Sequence, residues 1–186
     1  MPDRLLFIDT ETGGLDPHKH SLLSLAMVVW EVGEILDSME ILINDGILAV
    51  TDEALSINKI DLETHKQLAV STSRAYDEMV VFIRKYFPGQ GKITLAGHNV
   101  QFDAGFLRSF FAANHSDFSE FFSHRMIDTS SILHYLYLSG RMKQRAVSSD
   151  DAFRLFNIQV EGRHTALGDA MATARLFTSL LHLIEQ

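Results

Sequence analysis

Four acidic residues stand in stretches whose neighbours are otherwise suited to burial, and any fold of this chain must find a place for them. Asp9 and Glu11 close the apolar run Leu5-Leu6-Phe7-Ile8. Asp103 lies among Phe102, Phe106, Leu107 and Phe110, and Asp169 opens a long stretch of alanine and leucine that runs to Ile184. Burying a lone carboxylate costs several kcal/mol unless it is paired or bound to a cation. Four of them in one chain point to a single site filled by positive charge.

The chain itself supplies little of that charge. Its 16 lysines and arginines are outnumbered by 24 aspartates and glutamates, for a formal net charge of −8. This balance argues against broad, non-specific attachment to nucleic acid. It leaves room for a small nucleic-acid site at which divalent cations offset the acids. The absence of cysteine excludes a disulfide framework and a thiolate zinc site. A chain of 186 residues that is 46% hydrophobic can bury a sizeable core, and residues 1–186 are expected to form one domain. No apolar run approaches membrane-spanning length, Leu25–Trp30 being among the longest, so no membrane partner is expected. Met-Pro-Asp-Arg leads straight into a strand pattern and is not a signal peptide, which makes the cytoplasm the expected compartment.

The coarse order of elements is mixed. Leu5 to Thr10 reads as a buried strand, and Leu22 to Val32 and Ile35 to Ile43 read as two more, joined at Gly33-Glu34. Ser73 to Phe87 has helical period. A short strand at Ile93 to Ala96 precedes a helix over Val100 to Ala113, and Arg125 to Ile127 is a further short strand. Helical patterns follow at Thr129–Leu138, Ser148–Phe156 and Thr165–Ile184. Strands first, then strands alternating with helices, predict an α/β layer with a mixed sheet.

Phase sharpens the acids. Asp9 and Glu11 are two apart and share one face of an extended chain; two carboxylates side by side repel, and a divalent ion between them reverses that. Asp103 lies within the arc of Phe106, Leu107, Phe110 and Phe111. The helix dipole, with Asn99 as cap, accounts for an acid near that start but not for its inward face. Asp169 shares its side with Thr173, Leu176, Leu180 and Leu183. A buried ion pair is the competing account there, with Arg163 as the candidate partner. His164 stands five residues before Asp169 and His98 five before Asp103, so spacing alone does not choose a base. Asp128 reads as a helix cap. Arg141, Lys143 and Arg145 read either as a phosphate-contacting patch or as a solvated loop.

Three segments carry a resemblance. Phe7-Ile8-Asp9-Thr10-Glu11-Thr12-Gly13-Gly14-Leu15, His98-Asn99-Val100-Gln101-Phe102-Asp103 and His164-Thr165-Ala166-Leu167-Gly168-Asp169-Ala170 resemble, in order, the three motifs of DnaQ-like 3′–5′ exonucleases of the DEDD superfamily. The likeness extends to the histidine subclass, which includes ribonuclease T and the polymerase III epsilon exonuclease domain. That subclass places its histidine where this chain has His164. Ala54–Asp61 is similar to a pocket-lining segment of the family, although Asn58-Lys59 stands where the family often has His-Gly or Asn-Gly.

The resemblance implies an RNase H-like fold with a five-stranded mixed sheet flanked by helices. It implies a two-metal 3′–5′ exonuclease that releases nucleoside 5′-monophosphates. Asp9, Glu11, Asp103 and Asp169 would then hold two divalent cations, Mg²⁺ or Mn²⁺, with Asp9 shared between them, and His164 would act as general base. Thr10, Gly13, Leu15, Asn99 and Phe102 would line the terminal nucleotide. The implied partner is the 3′ end of a single-stranded DNA or RNA. A catalytically silent scaffold and a proofreading subunit of a polymerase are the alternatives. A free-standing enzyme is expected, because no polymerase-binding tail follows the last helix. A polymerase or a second copy as partner is left open.

Overall fold

The computed structural model describes residues 4–89 and 91–184. Its centre is β1 (Arg4–Thr12), which pairs antiparallel with β2 (Leu22–Glu31) and parallel with β5 (Ile93–Gly97). β3 (Glu34–Asn44) continues the antiparallel side, and β6 (Phe122–Asp128) the parallel side. The parallel half exists because helices return the chain to the same edge between strands: α3 (Thr72–Tyr86) leads into β5, and α4 (Val100–Ala113) with α5 (Phe118–Phe121) leads into β6. The mixed, helix-flanked sheet agrees with expectation except in strand count. A sixth strand, β4 (Val70–Ser71), adds two residues beside Ile43 and Asn44, giving the order β4-β3-β2-β1-β5-β6.

The expected turn between β2 and β3 moves back by one residue. Glu31 pairs with Glu34, and the turn is Val32-Gly33, both with positive φ (49° and 90°). A two-residue hairpin of this hand matches the twist of the strands it joins, and glycine supplies half of it without strain.

Both faces of the central strands are buried, so β1 and β2 read as near-continuous apolar runs. Leu6, Ile8, Leu25, Met27 and Val29 pack against α3 and α4, with Phe106, Leu107 and Phe111 at the heart of that layer. Leu5, Phe7, Val28 and Trp30 pack instead on α8 (Ala166–Ile184). That helix comes close because Ala166, Ala170 and Ala174 face the sheet and are fully buried. Trp30 stacks edge-on against Phe177 and donates its indole N–H to Thr178 Oγ1 at 2.9 Å. α6 (Thr129–Leu138) and α7 (Ser149–Leu155) cover the outer side of α8. Asp128 accepts from Ser130 N and caps α6, as read from sequence. Three short helices were not expected: α1 (Asp52–Asn58), capped by Thr51, α2 (Leu62–Leu68), capped by Asp61, and the four-residue α5, capped by Asp117. Among the described residues no helix is long and apolar enough to cross a membrane.

Candidate active site

The parity of β1 builds the site. Successive side chains of a strand point to opposite faces. Asp9 and Glu11 therefore follow Leu5 and Phe7 toward α8, while Thr10 follows Leu6 and Ile8 toward α4. Asp169, in the first turn of α8, meets the pair. One oxygen from each of Asp9, Glu11 and Asp169 lies within 4.8 Å of the others. On the opposite face Thr10 Oγ1 donates to Asp103 Oδ1 at 2.7 Å, and Asp103 is only 4% exposed. Asp103 is thus not one of the trio, but its charge acts on Asp9. All four acids gather at the C-terminal end of β1 and the first turns of α4 and α8, the edge at which open α/β sheets bind ligands.

The electrostatics are those of a crowded anionic site. Burial, then the charges of Asp103, Asp169 and Glu11, holds the Asp9 carboxyl well above its ordinary range. Burial, then Asp169 and Glu40, pushes Glu11 up to about 8. Burial raises Asp103 to about 7 against the opposing Thr10 hydrogen bond. Asp169 is also raised by burial, although Arg163 opposes it. The Arg163 guanidinium bonds Asp169 Oδ2, so the ion pair considered from sequence is present at this acid. The other oxygen, Oδ1, is buried and has no hydrogen-bond partner among the described residues. Orphaned buried acceptors are rare and costly. An acceptor left free beside two further carboxylates fits a divalent cation, and the all-oxygen donor set suits Mg²⁺ or Mn²⁺.

Arg163 also reaches α7. Its Nε donates to Asp150 Oδ1 at 2.7 Å and its Nη2 to Ser149 Oγ at 3.0 Å. His164 follows directly, half-buried, with φ of 65°, and lies close enough to Asp169 and Asp150 to influence both. His98 has different company. Its Nδ1 lies 3.0 Å from Thr129 Oγ1, and that hydroxyl donates to Gly97 O at 3.1 Å. The ring is tied into the junction of β5 and α6, and burial lowers its pKa.

The remaining candidates border the same edge. Gly13 is clamped between two connecting segments: its N–H donates to Ser21 O at 2.8 Å, and its carbonyl accepts from Thr51 N at 2.7 Å. A Cβ there would lie 2.1 Å from Ala49 O. Leu15, just beyond, is 84% exposed. Phe102 is half-buried with its ring 5.2 Å from Phe106. Asn99 does not cap α4. It adopts φ of 60°, makes no side-chain cap bond, and donates its N–H to Asp128 Oδ1 at 2.8 Å. That backbone bond fixes the turn into α4 in place of a cap.

One residue escaped sequence reasoning. Glu40 lies in register with Ala26, which pairs in turn with Asp9, so it is a fifth acid on the α8 face. The Leu167 backbone and the Ser24 hydroxyl favour its charged form, against a larger burial effect that raises its pKa. Alternation within β3 reports its face, though not its nearness to the trio. Asn58 is buried and donates to Thr12 O at 3.2 Å, holding α1 against the end of β1. Lys59 next to it takes the left-handed conformation (φ 56°) that the family's glycine would adopt freely. Arg141 and Lys143 line a cavity with Leu183, about four helical turns, roughly 21 Å, along α8 from Asp169. They are remote from the acids.

Known proteins resemble this chain over most of its length. A family model described as Exonuclease, the RNase T family, matches residues 6–177. Ribonuclease T of Wigglesworthia glossinidia brevipalpis is 28% identical over 186 residues, covering 94% of this chain and 83% of the relative. A PolC-type DNA polymerase III of Listeria monocytogenes is 29% identical over 173 residues, covering 93% of this chain but 11% of the polymerase. Escherichia coli exonuclease I in complex with a dT13 oligonucleotide superposes with a TM-score of 0.80 at 16% identity, over 95% of this chain and 40% of that one. At that identity the last likeness is one of fold.

Proposed function

The chain belongs to the Exonuclease family, and on that footing we propose that residues 1–186 work as one metal-dependent 3′–5′ exonuclease domain. It hydrolyses the terminal phosphodiester of a DNA or RNA strand and releases a nucleoside 5′-monophosphate. The observation that carries this reading is the ring of Asp9, Glu11 and Asp169 oxygens with one acceptor of Asp169 left free.

Asp9, Glu11 and Asp169 would hold one divalent cation, and Asp9 with Asp103 a second. Bound there, such cations supply the positive charge that activates water and stabilises a leaving oxygen. His164 takes the proton of the attacking water. The water oxygen bonds to phosphorus, the bond from phosphorus to the 3′ oxygen of the preceding nucleotide breaks, and the terminal nucleotide leaves. Thr10 orients Asp103 through its hydroxyl rather than meeting substrate directly. Exposed Leu15 on one side, and Asn99 with Phe102 on the other, would flank the terminal nucleotide, while Gly13 lets the loop close tightly behind it.

The PolC-type relative favours a second reading, a proofreading exonuclease working beside a polymerase. One experiment addresses both. Single-stranded DNA, single-stranded RNA and a 3′-mismatched duplex, each 5′-labelled, are incubated with Mg²⁺ or Mn²⁺, with and without EDTA. A ladder shortening from the 3′ end only in the presence of metal is expected, and preference for the mismatched duplex would favour proofreading. Internal cuts, or cleavage that survives EDTA, would overturn the main reading.

A further inference from the structure

Arg163 makes more bonds than its ion pair with Asp169 requires. Its Nε donates to Asp150 Oδ1 at 2.7 Å, its Nη2 to Ser149 Oγ at 3.0 Å, and its Nη1 to Asp169 Oδ2. Its guanidinium carbon also stands 5.7 Å from the centre of the Phe153 ring. Three of these four partners belong to α7, and Ser149 and Phe153 are one helical turn apart on the same side of it. A guanidinium is planar and presents its N–H groups in a fixed fork. With Nε and Nη2 held by α7, the direction left to Nη1 is set, and it falls on one oxygen of Asp169. The orientation of that carboxylate is therefore governed from α7, a helix outside the acidic ring. The same grip extends to His164, whose backbone follows Arg163 and takes a left-handed turn (φ 65°).

The arrangement divides the Asp169 carboxylate. Oδ2 goes to the arginine, and Oδ1 stays buried with no hydrogen-bond partner among the described residues. It also sets a fixed positive charge beside the ring, close enough to favour the ionised forms of Asp9, Glu11 and Asp169. A cation so placed steadies the acids in the metal-free protein, and it repels a divalent ion arriving among them. Asp150 tempers that repulsion. The hydrogen bond from Arg163 holds the Asp150 carboxyl below its ordinary range, so the pair stays ionised and the arginine's charge is partly offset.

We propose that Arg163 is a positioning residue that presents Asp169 to a divalent cation through one oxygen and restrains the binding of that cation, and that Asp150 and Ser149 hold it to this task from α7. The proposal rests on the metal-dependent exonuclease reading, and its test separates the two. Mn²⁺ is titrated into the EDTA-stripped, dialysed protein by isothermal calorimetry, without nucleic acid. In parallel, kcat and KM are measured on 5′-labelled single-stranded DNA at saturating Mn²⁺. Arg163→Gln removes the repelling charge and the fork together: it should bind Mn²⁺ several-fold more tightly, while kcat falls by roughly 10–100-fold with little change in KM. Arg163→Lys keeps the charge without the fork, so Mn²⁺ affinity should stay near the parent's while kcat falls. Asp150→Asn leaves the arginine's charge unopposed and should weaken Mn²⁺ binding several-fold. Arg84→Gln, at an exposed arginine two residues before Tyr86, whose carbonyl accepts from Arg4 at the other end of β1, should change nothing. Mn²⁺ affinity lost together with activity in Arg163→Gln, affinity unmoved in both Arg163→Gln and Asp150→Asn, or the same tightening in Arg84→Gln would overturn the proposal. If Arg163→Gln does not fold, Mn²⁺ binding by Asp150→Asn at or above the parent's strength overturns it. The expected shifts in Mn²⁺ affinity without cleavage of any strand by the parent would instead overturn the exonuclease reading and leave the role of Arg163 at the cation site standing.

Discussion

Asp9, Thr10 and Glu11 are consecutive, yet alternation sends two of them to one face of the sheet and the third to the other. The outer two meet Asp169; the middle one, through its hydroxyl, anchors Asp103. His164 is the residue whose role is tested most directly. His164→Ala should slow hydrolysis by roughly 10²–10⁴ while circular dichroism and melting temperature stay near those of the parent; unchanged turnover would remove it from the mechanism. The inward faces of Asp103 and Asp169 were legible from helical phase, and the partner of Asp169 was legible as Arg163. Glu40 was not, because its nearness to the trio depends on two successive strand registers that no local pattern reports. The choice of His164 over His98 came from motif likeness alone. The structure adds a physical distinction: Thr129 occupies His98, while His164 stands in the loop that leads to Asp169.

α8 delivers Asp169, and its first turn is shaped by a glycine. A Cβ on Gly168 would lie 2.2 Å from Gly162 O and 2.5 Å from Glu161 O, both backbone atoms of the loop that carries Arg163 and His164. Gly168→Ala should therefore displace that loop. Overpacking of this kind costs about 1–3 kcal/mol, to be read by urea unfolding, and activity should fall further than stability explains. Full activity with parental stability would show that the loop yields freely. Strong periodicity made the long elements legible: β1, β2, β3, α3, α4 and α8 appear close to where apolar spacing places them. The misses are short. α1 and α2 have seven residues each and are announced only by the caps Thr51 and Asp61. β4 exists because the edge of β3 offers it two partners, a tertiary cause with no local signature.

Across the whole molecule, crowding of acids makes stability depend on pH in an uncommon direction. Glu11 and Asp103 titrate in the fold at about 8 and about 7, above their ordinary values of 4.5 and 3.8. Through that window the metal-free fold binds more protons than the unfolded chain, so stability is greatest at the acid side of it and is lost as pH rises toward 8. Thermal unfolding in EDTA should show the melting temperature falling from about pH 5 to pH 8, and Mg²⁺ or Mn²⁺ should flatten the slope by stabilising the ionised acids. A melting temperature that climbs over the same range in EDTA would contradict the crowding. The order of parts along the chain has a further consequence, in time rather than energy. β1 brings two of the acids near the start, whereas His164 and Asp169 arrive only with α8. At ribosomal rates the interval between them is on the order of ten seconds. Throughout it the nascent chain holds only part of the acidic ring, so on the proposed mechanism the site would be completed in one step, when α8 docks.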